Sequence, residues 1–226
     1  MKTNTFFRSA LAALLMLAAT ATASAYDFEV DGIYYGKNSD GTSVYVTYKG
    51  GSYDSYPGSV TIPEKVTYSG TTYTVTSIGS DAFYGCSSLT SVTIPNSVTS
   101  IGGSAFYNCS SLTSVTIGNS VTSIGREAFR DCNSLTSVTI PNSVTSIGYE
   151  AFLNTPFYNS MPDGVVYLGR VLYSYKGTMP YDTSIVIKEG TVSINPSAFY
   201  DCIGLTSVTI PNSVTSIGWC AFENCI

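Results

Sequence analysis

Along most of this 226-residue chain, apolar and polar positions alternate in a pattern that restarts every 23 residues. In "LTSVTIPNSVTSIGGSAFYNCSS", Val92 and Ile94 lie two apart with Thr93 between them, the alternation of a half-buried strand. Pro95 has no amide hydrogen for a ladder and predicts the end of that strand. Val98 and Ile101 predict a second, shorter inward pass, and Gly102 predicts a turn closed to other residues. Ala105, Phe106 and Cys109 then predict one short helical turn that aims two small groups and one ring inward.

The repetition is close to literal. "SVTIPNSVTSIG" occupies residues 91–102, 137–148 and 207–218, with "SVTIGNSVTSIG" at 114–125. The pair Ala-Phe recurs with phenylalanines at 83, 106, 129, 152, 199 and 222, so the one 47-residue step holds a repeat plus 24 inserted residues. A fixed period of this length predicts a solenoid, in which each unit buries its apolar face only by stacking on its neighbours. The core is then a set of columns of Leu, Val, Ile, Phe and Cys.

Two departures from the period predict hairpins. "VTYSGTTYTV" lies where Ile62 and Ala82 are 20 residues apart instead of 11, and "GVVYLGRVLYSYKG" lies within an insertion at about 156–183. Both are expected to stand off the solenoid edge and to carry contacts particular to this chain. Tyr167, Tyr173 and Tyr175 of the second hairpin are candidate contact residues.

Composition narrows the function. Residues 1–25 combine Lys2 and Arg8, the apolar run "ALAALLMLAA" and small residues before Ala25, the pattern of a secretory leader too short to span a bilayer. Without it, eight basic residues face fifteen acidic ones, a net charge of −7, and the scattered Lys and Arg make no patch for nucleic acid. There is no His, which removes Ser-His-Asp and Cys-His catalysis and the commonest neutral metal ligand. No cofactor or metal is implied, and the chain is not expected to be an enzyme. "DFEVDG" at 27–32 resembles the start of a calcium loop, but position twelve is Asn38 and not Glu, so a strand is expected there. Glu127 and Asp131, beside Arg126 and Arg130, read as a solvated ion-pair patch.

Five cysteines (86, 109, 132, 202 and 225) share one repeat position, filled by Thr155 in the remaining unit. A disulfide framework and a column of buried thiols both fit that spacing. Parallel Cβ vectors favour thiols. Cys220, outside the column, is the candidate reactive thiol.

"LTSVTIPNSVTSIGGSAFYNCSS" resembles the BspA-like, or treponemal-type, leucine-rich repeat. The likeness covers residues 59–226 with interruptions, and residues 26–58 resemble the β-rich N-terminal cap that often precedes such arrays. It implies a leucine-rich-repeat solenoid, secretion or surface display in bacteria, and adhesion to host matrix proteins, epithelium or other cells. A glycan-capture module or a passive surface scaffold is the alternative. Partners are then an extracellular protein or cell-surface ligand, or a glycan.

Repetition suits a wide surface better than a pocket, because identical columns offer the same group at each step. On the outward strand face those groups are Thr93, Thr116, Thr139 and Thr209. Tyr84, Tyr107 and Tyr200, which follow the Ala-Phe pair, predict a discontinuous aromatic stripe, with Arg130, Leu153 and Glu223 in its place elsewhere. The final "CAFENCI" predicts an uncovered apolar face, belonging to a longer array or pairing with a second copy.

Overall fold

The computed structural model describes residues 25–50 and 54–225; the leader expected at 1–25 lies, but for its last residue, outside them. Strands β1 (Phe28–Val30), β2 (Ile33–Lys37) and β3 (Ser43–Thr47) form an antiparallel meander at the N-terminal end. "DFEVDG" is a strand and its turn: Phe28 is buried, Glu29 exposed, and Asp31 sits in the turn at φ 51°.

The solenoid begins with β4 (Gly58–Thr61), followed by the hairpin β5 (Lys65–Tyr68) and β6 (Thr71–Ile78). Three regular repeats each supply a first and a second strand. These are β7 (Leu89–Thr93) and β8 (Ser100–Ile101), β9 (Ser114–Thr116) and β10 (Ser123–Ile124), and β11 (Ser137–Val138) and β12 (Ser146–Ile147). First strands line up as β4-β7-β9-β11 in one parallel sheet, and second strands as β3-β6-β8-β10-β12 in another. Registers are one repeat apart, as in Val92 against Val115 and Ile101 against Ile124. The inward residues are sealed, with Leu89, Leu112 and Leu135 at 0% exposure.

The third side of each coil differs from expectation. No helical turn forms at Ala-Phe. The amides there alternate between two uses: Tyr107 N–H folds back to Ser104 O at 3.0 Å, while Phe106 N–H donates to Ala128 O of the next repeat at 2.7 Å. Left-handed residues on both sides, Ser104 (φ 51°) and Asn108 (φ 55°), turn alternate amides outward, and the same two positions are left-handed in the other repeats. A helix would consume all its amides internally and leave none to join neighbours.

Gly102 is not left-handed either. It is glycine because the coils touch there: a Cβ on Gly102 would lie 2.5 Å from Ser80 N, and one on Gly125 would lie 2.5 Å from Gly102 C.

The phenylalanines stack face to face, 4.7 Å from Phe83 to Phe106, 5.0 Å to Phe129 and 5.2 Å to Phe152, with planes within 11°. None of the six cysteines is in a disulfide. Thiols of Cys109 and Cys132 donate to Phe83 O at 2.9 Å and Phe106 O at 3.0 Å, so the column is one of buried thiols that bond to the preceding coil.

At Thr155 the column is interrupted, to resume at Cys202 and Cys225. The Thr155 hydroxyl donates to Phe152 O at 2.7 Å and accepts from Tyr158 N at 3.1 Å, capping the short helix α1 (Pro156–Asn159). Strands β13 (Gly164–Leu168) and β14 (Val171–Lys176) follow as the expected hairpin, then β15 (Thr183–Val186), β16 (Ser193–Ile194), β17 (Leu205–Thr209) and β18 (Ser216–Ile217).

This hairpin does not stand off the edge. Strand β14 is itself a rung: it pairs in parallel with β16, Val171 against Ser193, and Val171, Leu172 and Tyr173 are all buried. In the first hairpin, β6 is likewise a rung, between β3 and β8, and β5 lies beside it. Insertions that supply their own apolar strands are drawn into the stack, because otherwise the coils on either side would expose their faces.

Candidate binding surface

The hydroxyl face forms on the sheet of first strands. Thr61, Thr93 and Thr116 are exposed and in register on β4, β7 and β9. Beneath them Ser91 donates to Ser59 at 2.7 Å, and Thr113 donates to Thr90 O at 3.0 Å, so part of the hydroxyl set is tied to the preceding coil. Thr139 is exposed just past the end of β11. Thr209 belongs to a separate two-stranded sheet, β15-β17, where its neighbour is Val186, 77% exposed. The four threonines picked from sequence are therefore two patches, separated by the insertion.

The tyrosines lie elsewhere, on the Ala-Phe side of the coil. Tyr84 and Tyr107 stack at 5.0 Å with planes 4° apart, and a hydrogen bond to Asp131 pushes the Tyr107 phenol up. Tyr200 is half-exposed beyond the insertion. Of the three hairpin tyrosines, one is buried and two are partly buried. Tyr173 is 5% exposed, Tyr175 packs against Phe199, and the Tyr167 hydroxyl accepts from Lys188 N at 3.0 Å. Tyr167 and Tyr175 are partly buried, packed against the core of the second half of the stack.

Next to Tyr107 lies an ionic cluster joining two repeats. Arg130 bonds to Glu150 and also reaches Glu127 at 3.4 Å and Asp131 at 3.6 Å, while the Arg126 guanidinium lies 5.8 Å from the Tyr149 ring. The ion pairs expected of Glu127 and Asp131 are present; the spacing of the repeat could have flagged Glu150, 23 residues after Glu127. Sequence reading also missed Trp219, 59% exposed, whose ring meets Tyr149 at 5.4 Å across the insertion.

Among the described residues no cluster of three or more His, Cys, Asp or Glu could hold a metal ion. Cys220 is exposed, but a hydrogen bond to Glu223 pushes its thiol up, away from the reactive thiolate. Among the described residues no helix is long and apolar enough to cross a membrane.

Stacked coils, buried columns and a hydroxyl-bearing outer face define a β-solenoid binding scaffold. The family model described as "BspA type Leucine rich repeat region" matches residues 63–180 and 172–226 in six copies, and the chain belongs to that family. Such repeats bind other proteins and serve as interaction scaffolds, typically without catalysis. Among solved structures, a leucine-rich repeat protein from Bacteroides ovatus is 24% identical, covering 88% of this chain and 80% of that one, with a TM-score of 0.55. A leucine rich cell surface protein from Faecalibacterium prausnitzii is 30% identical with a TM-score of 0.53, covering 88% of this chain and 52% of that one. The chain thus spans about half the length of the Faecalibacterium protein. No match was found among curated protein sequences.

Proposed function

We propose that this protein is a secreted or cell-surface adhesion module that binds a host matrix protein, or a protein on another cell, through its hydroxyl-lined sheet. The observation that carries this reading is the in-register run of Thr61, Thr93 and Thr116, exposed on consecutive parallel strands. An extended partner can engage such a run at several equivalent steps, gaining by multivalency what each weak contact lacks. Residues 1–25 serve as the leader, 26–58 as the cap and 59–226 as the array, a division supported by the leader pattern and by β4 opening the first-strand sheet at Gly58.

A second reading, glycan capture, is favoured by the stacked Tyr84–Tyr107 pair and the exposed Trp219, since sugar rings pack on aromatic faces. One experiment separates the two. Residues 26–226 are tested at physiological salt against an array of matrix proteins and polysaccharides, alongside a Thr93→Lys, Thr116→Lys double variant and a Tyr84→Ala, Tyr107→Ala double variant. A protein ligand lost with the threonine pair supports adhesion. Binding to polysaccharides alone, lost with the tyrosine pair, supports glycan capture. No binding by the unaltered chain overturns both and leaves a passive scaffold.

A further inference from the structure

The outermost first strand, β4, pairs with β7 on one side only. Ile62 N–H donates to Thr93 O at 3.0 Å, so the even-numbered residues of this segment face β7. Main-chain groups alternate sides along a strand, which turns the N–H and C=O of Ser59 and Thr61 to the opposite edge. That edge opens on a groove of about 420 Å³ between β4, the β1–β2 turn and the start of β5.

The groove has the parts a strand needs. Ser59 and Thr61 line it with main-chain donors and acceptors two residues apart, which is the spacing at which a parallel neighbour bonds through one of its own residues. Tyr35 and Val66, both buried from the outside, give it an apolar floor. Asp31 and Lys65 line it too, and neither is ion-paired among the described residues. Burial pushes the Tyr35 phenol up to about 12 and the Asp31 charge adds to the shift, consistent with that carboxylate standing over the floor.

We propose that this groove takes an extended peptide segment of another protein as an added parallel strand, with a basic side chain toward Asp31, a carboxylate toward Lys65 and an apolar side chain on Tyr35 and Val66. The opposite charges set the direction of the incoming strand. A helix has its main-chain groups already spent and a sugar lacks the alternating N–H and C=O, so the edge selects an extended polypeptide. The groove uses the main chain of Thr61, whose hydroxyl belongs to the outer face, but neither Thr93 nor Thr116, so it would persist if that face proved inert.

The probe is acetyl-Lys-Val-Thr-Val-Glu-amide, titrated into ¹⁵N-labelled residues 26–226 and followed by amide shifts, beside the same peptide N-methylated at its central Thr. The unmodified peptide shifts Ser59, Thr61 and Val66, and N-methylation, which removes one main-chain donor, weakens binding by about tenfold. Asp31→Asn weakens the unmodified peptide as well, and this turn-borne exposed residue leaves the core untouched. Equal binding of the N-methylated peptide, shifts confined to another face, or no shifts at millimolar peptide would each overturn the proposal. So would dimerisation of the chain that occupies the same residues, seen by sedimentation without peptide.

Discussion

Between Phe106 and Phe152 each coil repeats the last, whereas between Phe152 and Phe199 the same stack is continued by unlike parts. In the regular region the same amide finds the same carbonyl of the next coil, 22 residues on: Phe106 N–H meets Ala128 O, and Phe129 N–H meets Ala151 O. At the insertion no Ala-Phe pair follows, so Phe152 N–H has no such carbonyl. The Tyr173 hydroxyl accepts from it instead, at 3.0 Å. Phe157 and Tyr173 meet Phe152 edge-on, at 68° and 71°, where the next stacked ring would lie. On the outer side Ser193 Oγ donates to Thr145 O at 2.7 Å, a side chain standing where a rung-to-rung backbone bond would be. Tyr56 does the same at the start of the column, its ring tilted 40° against Phe83 at 4.4 Å while its hydroxyl donates to Thr47 O and accepts from Tyr34 N. Period alone builds the coils, but side chains finish them wherever the period fails.

The largest test of this contrast is within the ring column. Phe129→Ala, with stacked rings on both sides and no exposure, should cost about 3–5 kcal/mol in urea unfolding. Phe157→Ala, half-buried and edge-on, should cost clearly less. Equal losses would mean that the junction is packed as tightly as the regular stack.

Next comes the glycine column. Gly125→Ala pushes a Cβ against backbone at 2.5 Å and should destabilise by about 1–3 kcal/mol, whereas Gly103→Ala, whose nearest backbone atom is 3.6 Å away, should stay within about 0.5 kcal/mol. Similar melting temperatures for the two would break the reading of these glycines as sites of close approach.

At the junction, Tyr173→Phe keeps the ring but leaves Phe152 N–H buried without its acceptor, a loss of about 1–3 kcal/mol. Hydrogen exchange at Phe152 should speed up while exchange at Phe106 is unchanged.

The smallest effect is in the cap. Asp40 accepts from Thr42 N at 2.7 Å and Ser43 N at 2.8 Å, and these bonds, led by that from the Ser43 hydroxyl, lower its carboxyl to about 2. A carboxyl depressed in the folded state contributes above its ordinary value near 3.8 and loses that contribution as pH falls through about 2. Amide shifts of the β2–β3 turn should therefore titrate through about pH 2 while the β7–β12 coils stay fixed.

Much of this was legible in the chain itself. The period, the inward columns and the outward threonines follow from residue type alone, because each coil repeats the same choice of which side chains shun water. The hairpin at 164–176 is legible as a hairpin, but not the burial of Tyr173 within it. Its sequence shows aromatic, β-prone residues, which fit an exposed ribbon and a buried rung equally well; the amide of Phe152, which needs an acceptor, and the open edge of β16 decide between them.

The sequence by itself determined that the chain coils, how often, and which residues go in, since those depend on local polarity repeated at a fixed interval. Only the tertiary structure decided that the Ala-Phe corner is an outward-bonding turn and not a helix, that the glycines mark contact between coils, and that Tyr56 and Tyr173 close the ends of a ring column. Each of these depends on what one coil needs from another for its hydrogen bonds and close packing, and a single repeat cannot show it.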